Sequence, residues 1–240
     1  TPSSSTLDKA HTLALNGAQE GTAVITEQQL KGKGRLGRQW ESPKGTGIWM
    51  SFILRPNIPP HQAPQLTLLT AVAVAQTIEA ATEIQPEIKW PNDILINGKK
   101  AVGILTELQA EADLVQSIII GVGINVNTKS FPEHLKDKAT SLLIENNGKE
   151  IDRAHFIRTF FEKFETLYDE YLEHGFKPIK LRWESYAISL GKYITARTLD
   201  GEIHGFALGI TDEGVLLIED KYNNIHQIYS ADIETFSSQS

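Results

Sequence analysis

Thr26-Glu-Gln-Gln-Leu-Lys-Gly-Lys-Gly-Arg-Leu-Gly-Arg-Gln-Trp40 is the stretch on which the reading of this chain turns, and Lys89-Trp-Pro-Asn-Asp93 is its partner. In the first, Gly32, Gly34 and Gly37 alternate with Lys31, Lys33, Arg35 and Arg38, directly after the apolar run Ala23-Val-Ile25. Backbone without Cβ atoms can come close to a ligand and turn its N–H groups toward anionic oxygens. The interleaved cations then neutralise phosphate or carboxylate. The pattern describes an anion-gripping loop; a solvated basic loop with turn glycines is the plain alternative.

The stretch also fits G-x-G-x-x-G, the dinucleotide fingerprint. That fingerprint needs its third glycine to open a helix and an acid roughly 20 residues on for the ribose. Here Pro43, Gly45 and Gly47 break any helix, and Phe52-Ile-Leu-Arg-Pro56 contains no acid. Nicotinamide binding is therefore rejected.

Outside the loop the chain is ordinary. Its 240 residues are 40% hydrophobic and 22% charged, enough for one large or two modest domains with a substantial core. No apolar run approaches the roughly 18 residues of a membrane span. Zero cysteines exclude disulfides, thiolate metal sites and a cysteine nucleophile. Thr1-Pro-Ser-Ser-Ser5 has neither a basic nor an apolar leader pattern, so cytoplasm is the expected compartment. The net charge is −7, yet residues 31–44 carry five cations against the single acid Glu41. This local inversion favours a focused anion site over a broad polyanion-binding face. The seven histidines lack an i, i+4 pair and receive no ligand role.

Periodicity sets the expected organisation. Leu7, Ala10, Leu13 and Ala14 recur at helical spacing before Asn16-Gly17, with Ser5 or Thr6 as the N-cap. Strands are expected at 22–28 and 47–54, bracketing the basic loop, and a buried alanine-rich helix at 63–81. Further strands are expected at 88–90, 94–96 and 101–108, with Asn97-Gly98 as a tight hairpin turn. The Ile/Val-rich 114–126 reads as a central strand covered on both faces. Residues 153–172 form a helix with Phe156, Phe160, Phe164, Leu167 and Tyr171 on one stripe, followed by a helix from 178 to about 185. Short strands then follow, divided by Asp200-Gly201, Glu213-Gly214 and Asn223-Asn224. The expected division is 1–188 for a catalytic domain and 189–240 for a small barrel.

Taken in order, Ser4-Ser-Thr6, the glycine loop, Lys89-Trp-Pro-Asn-Asp93, Gly98-Lys-Lys-Ala-Val-Gly-Ile-Leu-Thr-Glu107 and Gly121-Val-Gly-Ile-Asn-Val126 resemble the catalytic region of bacterial biotin–protein ligases. The resemblance covers nearly the whole chain. It implies an α+β fold: a mixed β-sheet with helices packed on it, class II synthetase-like, followed by an SH3-like C-terminal β-barrel. It also implies the activity, in which biotin and ATP form biotinyl-5′-AMP and the acyl group then passes to a lysine of a biotin carboxyl carrier domain. Mg²⁺ would accompany ATP, and a ligand-dependent homodimer is expected through the main sheet. Many members carry a helix-turn-helix domain ahead of the Ser-Thr pair; these residues contain no such reader, so DNA binding is not expected from them. A lipoate–protein ligase of related fold, or the ligase part of a biotin-operon repressor, are the alternatives.

The same resemblance assigns roles. Lys100 matches the essential lysine that touches biotin carboxylate and α-phosphate; an exposed turn lysine is the alternative. Lys33, where arginine is common, and Arg35 match positions at the biotin carboxyl end and the adenylate phosphate. Ser5, Thr6 and Gln29 match positions around the biotin ring, whose ureido group needs donors and acceptors; N-capping would account for Ser5 and Thr6 as well. Gly32, Gly34 and Gly103 belong to the same pocket. Leu7 stands where a polar residue is common. For the nucleotide, Trp40 is the stacking surface, Asn125 the hydrogen-bonding partner of the adenine edge, and Arg38 a transient phosphate contact, with a plain surface cation as its alternative. Asn92 and Asp93 organise the ATP end, with Asp93 on Mg²⁺ or on the incoming amine; no dedicated metal cage is expected.

Overall fold

Ser5 caps the first helix, α1 (Thr6–Leu15), its hydroxyl accepting from the Asp8 N–H, and Gly17 at φ +82° ends it. The computed structural model describes residues 3–111 and 114–235; the outer limits expected for the two domains, at 1 and 240, lie outside them. Four strands follow α1: β1 (Ala23–Thr26), β2 (Gly32–Lys33), β3 (Gln39–Trp40) and β4 (Ile48–Leu54). Every residue of β4 is buried. Next comes α2 (Ala63–Ala81), with Pro64 in its first turn, where the missing N–H costs nothing. Thirteen of its nineteen residues are buried, which makes it the central helix.

The strands β5 (Glu87–Lys89), β6 (Asp93–Ile96), β7 (Lys99–Glu111) and β8 (Leu114–Ile124) form a meander. Asn97 and Gly98 both have positive φ, +50° and +76°, the conformation a two-residue hairpin turn requires. The six-stranded sheet runs β1-β4-β8-β7-β6-β5. All its strand pairs are antiparallel, and the parallel contacts of this expected mixed sheet are confined to isolated bridges, such as Lys100 with Ala139. Successive meander strands joined by short turns can pair only antiparallel.

Alternation along β4 and β8 builds a core on each face. Phe52, Leu54, Ile118, Ile120 and Val122 face the main core, whereas Ile53 and Ile119 meet Leu7, Ala10 and Ala14 of α1. After α3 (Leu142–Glu145), the main core is covered by α4 (Arg153–His174) and α5 (Lys177–Tyr186). The α4 stripe is buried at Phe156, Phe160, Phe164, Leu167 and Tyr171. Phe52 sits edge-on to Phe160, Phe161 and Phe164 at centroid distances of 6.0, 5.6 and 4.9 Å. Each fully buried aromatic contributes about 1.5–3 kcal/mol of transfer free energy.

The remaining strands are β9 (Tyr193–Thr198), β10 (Gly201–Ile210), β11 (Leu216–Glu219), β12 (Ile225–Ile228) and β13 (Asp232–Thr235). They form a second antiparallel sheet, ordered β12-β11-β10-β9-β13, and among the described residues no pairing joins β12 to β13. Its inner residues, including Ile194, Ile218 and Ile233, are continuous with the main core. Polar bolts reinforce the junction. Trp90 Nε1 donates to the Gly214 carbonyl at 3.1 Å, and Gln65 Nε2 donates to the Asp212 carbonyl at 2.7 Å. Gln65 in turn accepts from the Tyr171 hydroxyl at 2.6 Å, and burial pushes that phenol up to about 12. The small sheet is thereby carried against the edge where Asn92 and the glycine segment lie.

Candidate functional site

The glycine segment is a hairpin. Gly32 pairs with Trp40 and Lys33 with Gln39, and the turn closes with the Gly34 N–H donating to the Arg38 carbonyl at 2.8 Å. Leu36 at φ +55° and Gly37 at φ +73° bend the tip. A Cβ on Gly32 would lie 2.4 Å from the Trp40 carbonyl oxygen, so the hairpin itself demands glycine there.

Each cation of the site has a partner from elsewhere in the chain. Lys33 forms an ion pair with Asp8 in the first turn of α1, and that contact, with the field of Glu107, raises its pKa. Arg35 donates to Asn92 Oδ1 at 3.0 Å, to Ser230 Oγ at 2.7 Å and to the Ala231 carbonyl at 3.3 Å. Its burial lowers its pKa from the usual arginine value. Arg38 pairs with Asp232 at the start of β13, which raises the arginine and holds the aspartate below the ordinary carboxylate range. Lys100 Nζ stands 2.7 Å from Asp93 Oδ1. Lys100 is therefore the second residue of β7, ion-paired, and not an exposed turn lysine.

Trp40 brings the hairpin onto the main sheet. Gly103 and Gly123 face each other across β7 and β8. A Cβ on Gly103 would lie 2.8 Å from the indole, and one on Gly123 would lie 2.5 Å from its Nε1, so the paired glycines make the flat seat on which Trp40 rests. Lys100 Nζ lies 5.2 Å from the indole centroid, within cation–π range. Trp40 Nε1 is buried with no hydrogen-bond partner among the described residues. In this arrangement the indole takes the close approach at Gly103 that the sequence reading reserved for ligand.

The polar cluster under the hairpin joins residues far apart in sequence. Thr6 N–H and Oγ1 both donate to Gln29 Oε1, at 2.9 and 3.1 Å, and Thr6 Oγ1 also meets Ser51 Oγ at 2.8 Å. Gln29 Nε2 donates to Ser42 Oγ at 3.0 Å. Ser5 is buried and caps α1. Leu7 points into the smaller core, where a Cβ on Gly121 would meet it at 2.7 Å, which explains an apolar residue there. Asn92 Nδ2 donates to the Ile104 carbonyl at 2.9 Å, and Asn125 Nδ2 to the Thr140 carbonyl at 3.1 Å. Beside Arg35 and Asn92 a cleft of about 810 Å³ opens between the two sheets, walled by Trp90, Ile104, Val215 and Tyr229.

The structure thus gathers Arg35 with Asn92, Lys100 with Asp93, Trp40 and Gly103, and Thr6 with Gln29. Sequence reasoning missed Asp8, Ser230 and Asp232 as cation partners and gave Trp90 no role. An acid three residues after the N-cap was a visible signal for Asp8; nothing local marks Ser230 or Asp232.

Residues 1–125 match the biotin/lipoate A/B protein ligase family, and residues 189–235 match the biotin protein ligase C-terminal domain. The bifunctional ligase/repressor BirA of Bacillus spizizenii is 60% identical over 96% of this chain and 71% of its own length. The biotin–[acetyl-CoA-carboxylase] ligase of Paracoccus denitrificans is 32% identical over 87% of this chain and 89% of its own. The biotin protein ligase from Aquifex aeolicus in complex with biotin and ATP superposes with a TM-score of 0.85 at 32% identity, covering 98% of this chain and 97% of that one. The chain belongs to the biotin/lipoate A/B protein ligase family.

Proposed function

We propose that this chain is a biotin–protein ligase: it attaches biotin to a lysine of a biotin carboxyl carrier domain of a biotin-dependent carboxylase, through biotinyl-5′-AMP. The observation that carries the reading is the convergence of Lys100, Asp93 and Trp40 on the Gly103–Gly123 seat. An ammonium fixed there lies where two anions must be brought together.

In the first step a biotin carboxylate oxygen attacks the α-phosphorus of ATP and pyrophosphate leaves. Lys100 bridges carboxylate and α-phosphate, lowering their repulsion and stabilising charge that builds on phosphorus. Lys33 and Arg35 hold the carboxyl and phosphate ends, while Thr6, Ser5 and Gln29 meet the ureido ring, with Gly32, Gly34 and Gly103 lining its approach. Trp40 leaves its glycine seat to stack on adenine, Asn125 meets the adenine edge, and Arg38 and Asn92 attend the phosphates. Mg²⁺ would accompany ATP and offset phosphate charge, and Asp93 is the carboxylate that would hold it.

In the second step the neutral amine of the acceptor lysine attacks the anhydride carbonyl and AMP leaves with the former carboxylate oxygen. Asp93 orients that amine. The cleft of about 810 Å³ beside Arg35 and Asn92 is the opening assigned to the acceptor segment in this reading. No enzyme nucleophile is required; positioning and water exclusion supply the catalysis. A ligand-dependent homodimer through the main sheet and a cytoplasmic location complete the proposal.

The test is incubation with biotin, MgATP and a biotin carboxyl carrier domain, followed by mass measurement of the carrier. A gain of one biotinyl group is expected. An unmodified carrier contradicts the reading, and modification in a parallel incubation with lipoate in place of biotin favours the lipoate alternative.

A further inference from the structure

As Arg38 is by Asp232, Lys33 is held by an exposed ion pair that is easily exchanged. Its side chain is 45% exposed and that of its partner Asp8 is 49% exposed, whereas Arg35 is fixed through three hydrogen bonds to Asn92, Ser230 and Ala231. Exposed ion pairs hold only weakly and are screened by salt. Asp8 also sits on the same helical turn that presents Ser5 and Thr6. One rigid element therefore carries the groups assigned to the biotin ring and a carboxylate lying on the lysine assigned to biotin's own carboxylate.

We propose that Asp8 is a specificity-setting residue: its carboxylate competes with the ligand's carboxylate for Lys33 and so sets how tightly the site takes a carboxylate-bearing acyl ligand. The inference rests on the ligase reading, and it concerns how Lys33 is handed over. Binding exchanges one carboxylate for another at a single ammonium, so the net charge facing Lys33 stays constant. An uncharged analogue with the same ring and chain meets no such competition, because it does not ask for Lys33. Asp8 thereby lowers the site's preference for acid over neutral analogues and keeps Lys33 from drifting into solvent between turnovers.

A purely structural role predicts something different. An acid in the first helical turn favours the helix N-terminus, and losing it would loosen α1 and weaken every ligand that touches Ser5 and Thr6. The two roles separate on a pair of ligands: biotin and biotinol, in which a primary alcohol replaces the carboxylate.

The experiment measures equilibrium binding of both to the parent chain, Asp8→Asn and Asp8→Glu, at low and high salt, together with the KM and kcat of biotin-dependent pyrophosphate exchange. For Asp8→Asn the expected result is biotin binding tighter by about two- to fivefold, the size of an exposed pair. Biotinol affinity and kcat stay unchanged, and the gain shrinks at high salt. Asp8→Glu restores parental behaviour. Equal weakening of biotin and biotinol, or biotin affinity unchanged in Asp8→Asn, overturns the inference while leaving the ligase reading intact. A parent chain that binds neither ligand overturns the ligase reading, and the inference with it.

Discussion

The main sheet and the glycine hairpin meet at the Trp40 indole, yet they are held by different forces. Strand β4 buries all seven of its residues, and β8 packs against both cores; their order comes from apolar area and continuous backbone pairing. The hairpin has two residue pairs, an exposed leucine at its tip, and cations tied to α1, to Asn92 between β5 and β6, and to Asp232 at the start of β13. The first region is stable because water is excluded from it. The second is shaped by charge pairs that a phosphate or carboxylate can replace. On the proposed reading the scaffold stands by itself, whereas the site is completed by what it binds.

That contrast can be broken from the scaffold side first. Phe160 is fully buried against Phe52 and Phe164. Phe160→Ala should cost about 3–5 kcal/mol of stability, read as a lower urea midpoint, while the folded fraction keeps its adenylation constants. A loss below about 1 kcal/mol would mean that the stripe is not the keystone of the core.

From the site side, Lys100→Ala should slow adenylate formation by about 10²–10³. It also leaves Asp93, whose side chain is 21% exposed, without its cation, so a modest stability loss accompanies the kinetic one. Pyrophosphate exchange at the parental rate would remove Lys100 from the mechanism.

Arg35→Ala is the smaller and sharper test. It deletes the link from the hairpin to Asn92, Ser230 and Ala231 as well as the cation proposed for the adenylate phosphate. Biotin affinity should change little, while biotinyl-AMP should escape about tenfold faster or more, the scale of a charge-assisted hydrogen bond. Labelling of bystander lysines would report the escape. An intermediate retained as long as in the parent would show that Arg35 serves only to dock the small sheet.

What could be read from the sequence follows the same division. Helix α2 falls on the expected residues 63–81 because an alanine-rich apolar run after a proline encodes its own start and burial. The stripe of α4 and the Asn97-Gly98 turn were equally local signals. The basic stretch was legible as an anion site, since glycines and cations are local too. Its hairpin form was not, because Gly32 is explained only by the Trp40 carbonyl across from it. Nor were the cation partners: Asp8 lies 25 positions from Lys33, and Asp232 lies 194 from Arg38. Such pairs are products of the fold, and no periodicity announces them. Within this segment Lys33, Arg35 and Arg38 each have a carboxylate or hydrogen-bond partner supplied from elsewhere in the chain.

Hydrogen exchange, followed segment by segment with and without biotin plus MgATP, tests the central claim most directly. Residues 29–47 exchange through small openings that the exposed charge pairs cannot prevent, whereas β4 and β8 exchange only when the core opens. Ligand should slow exchange in residues 29–47 by replacing weak internal counter-ions with phosphate and carboxylate and by giving Trp40 adenine as its packing surface. The core strands should keep their rates relative to one another. Equal protection of residues 29–47 in both states would contradict the account, because the site would then be as preformed as the scaffold that carries it.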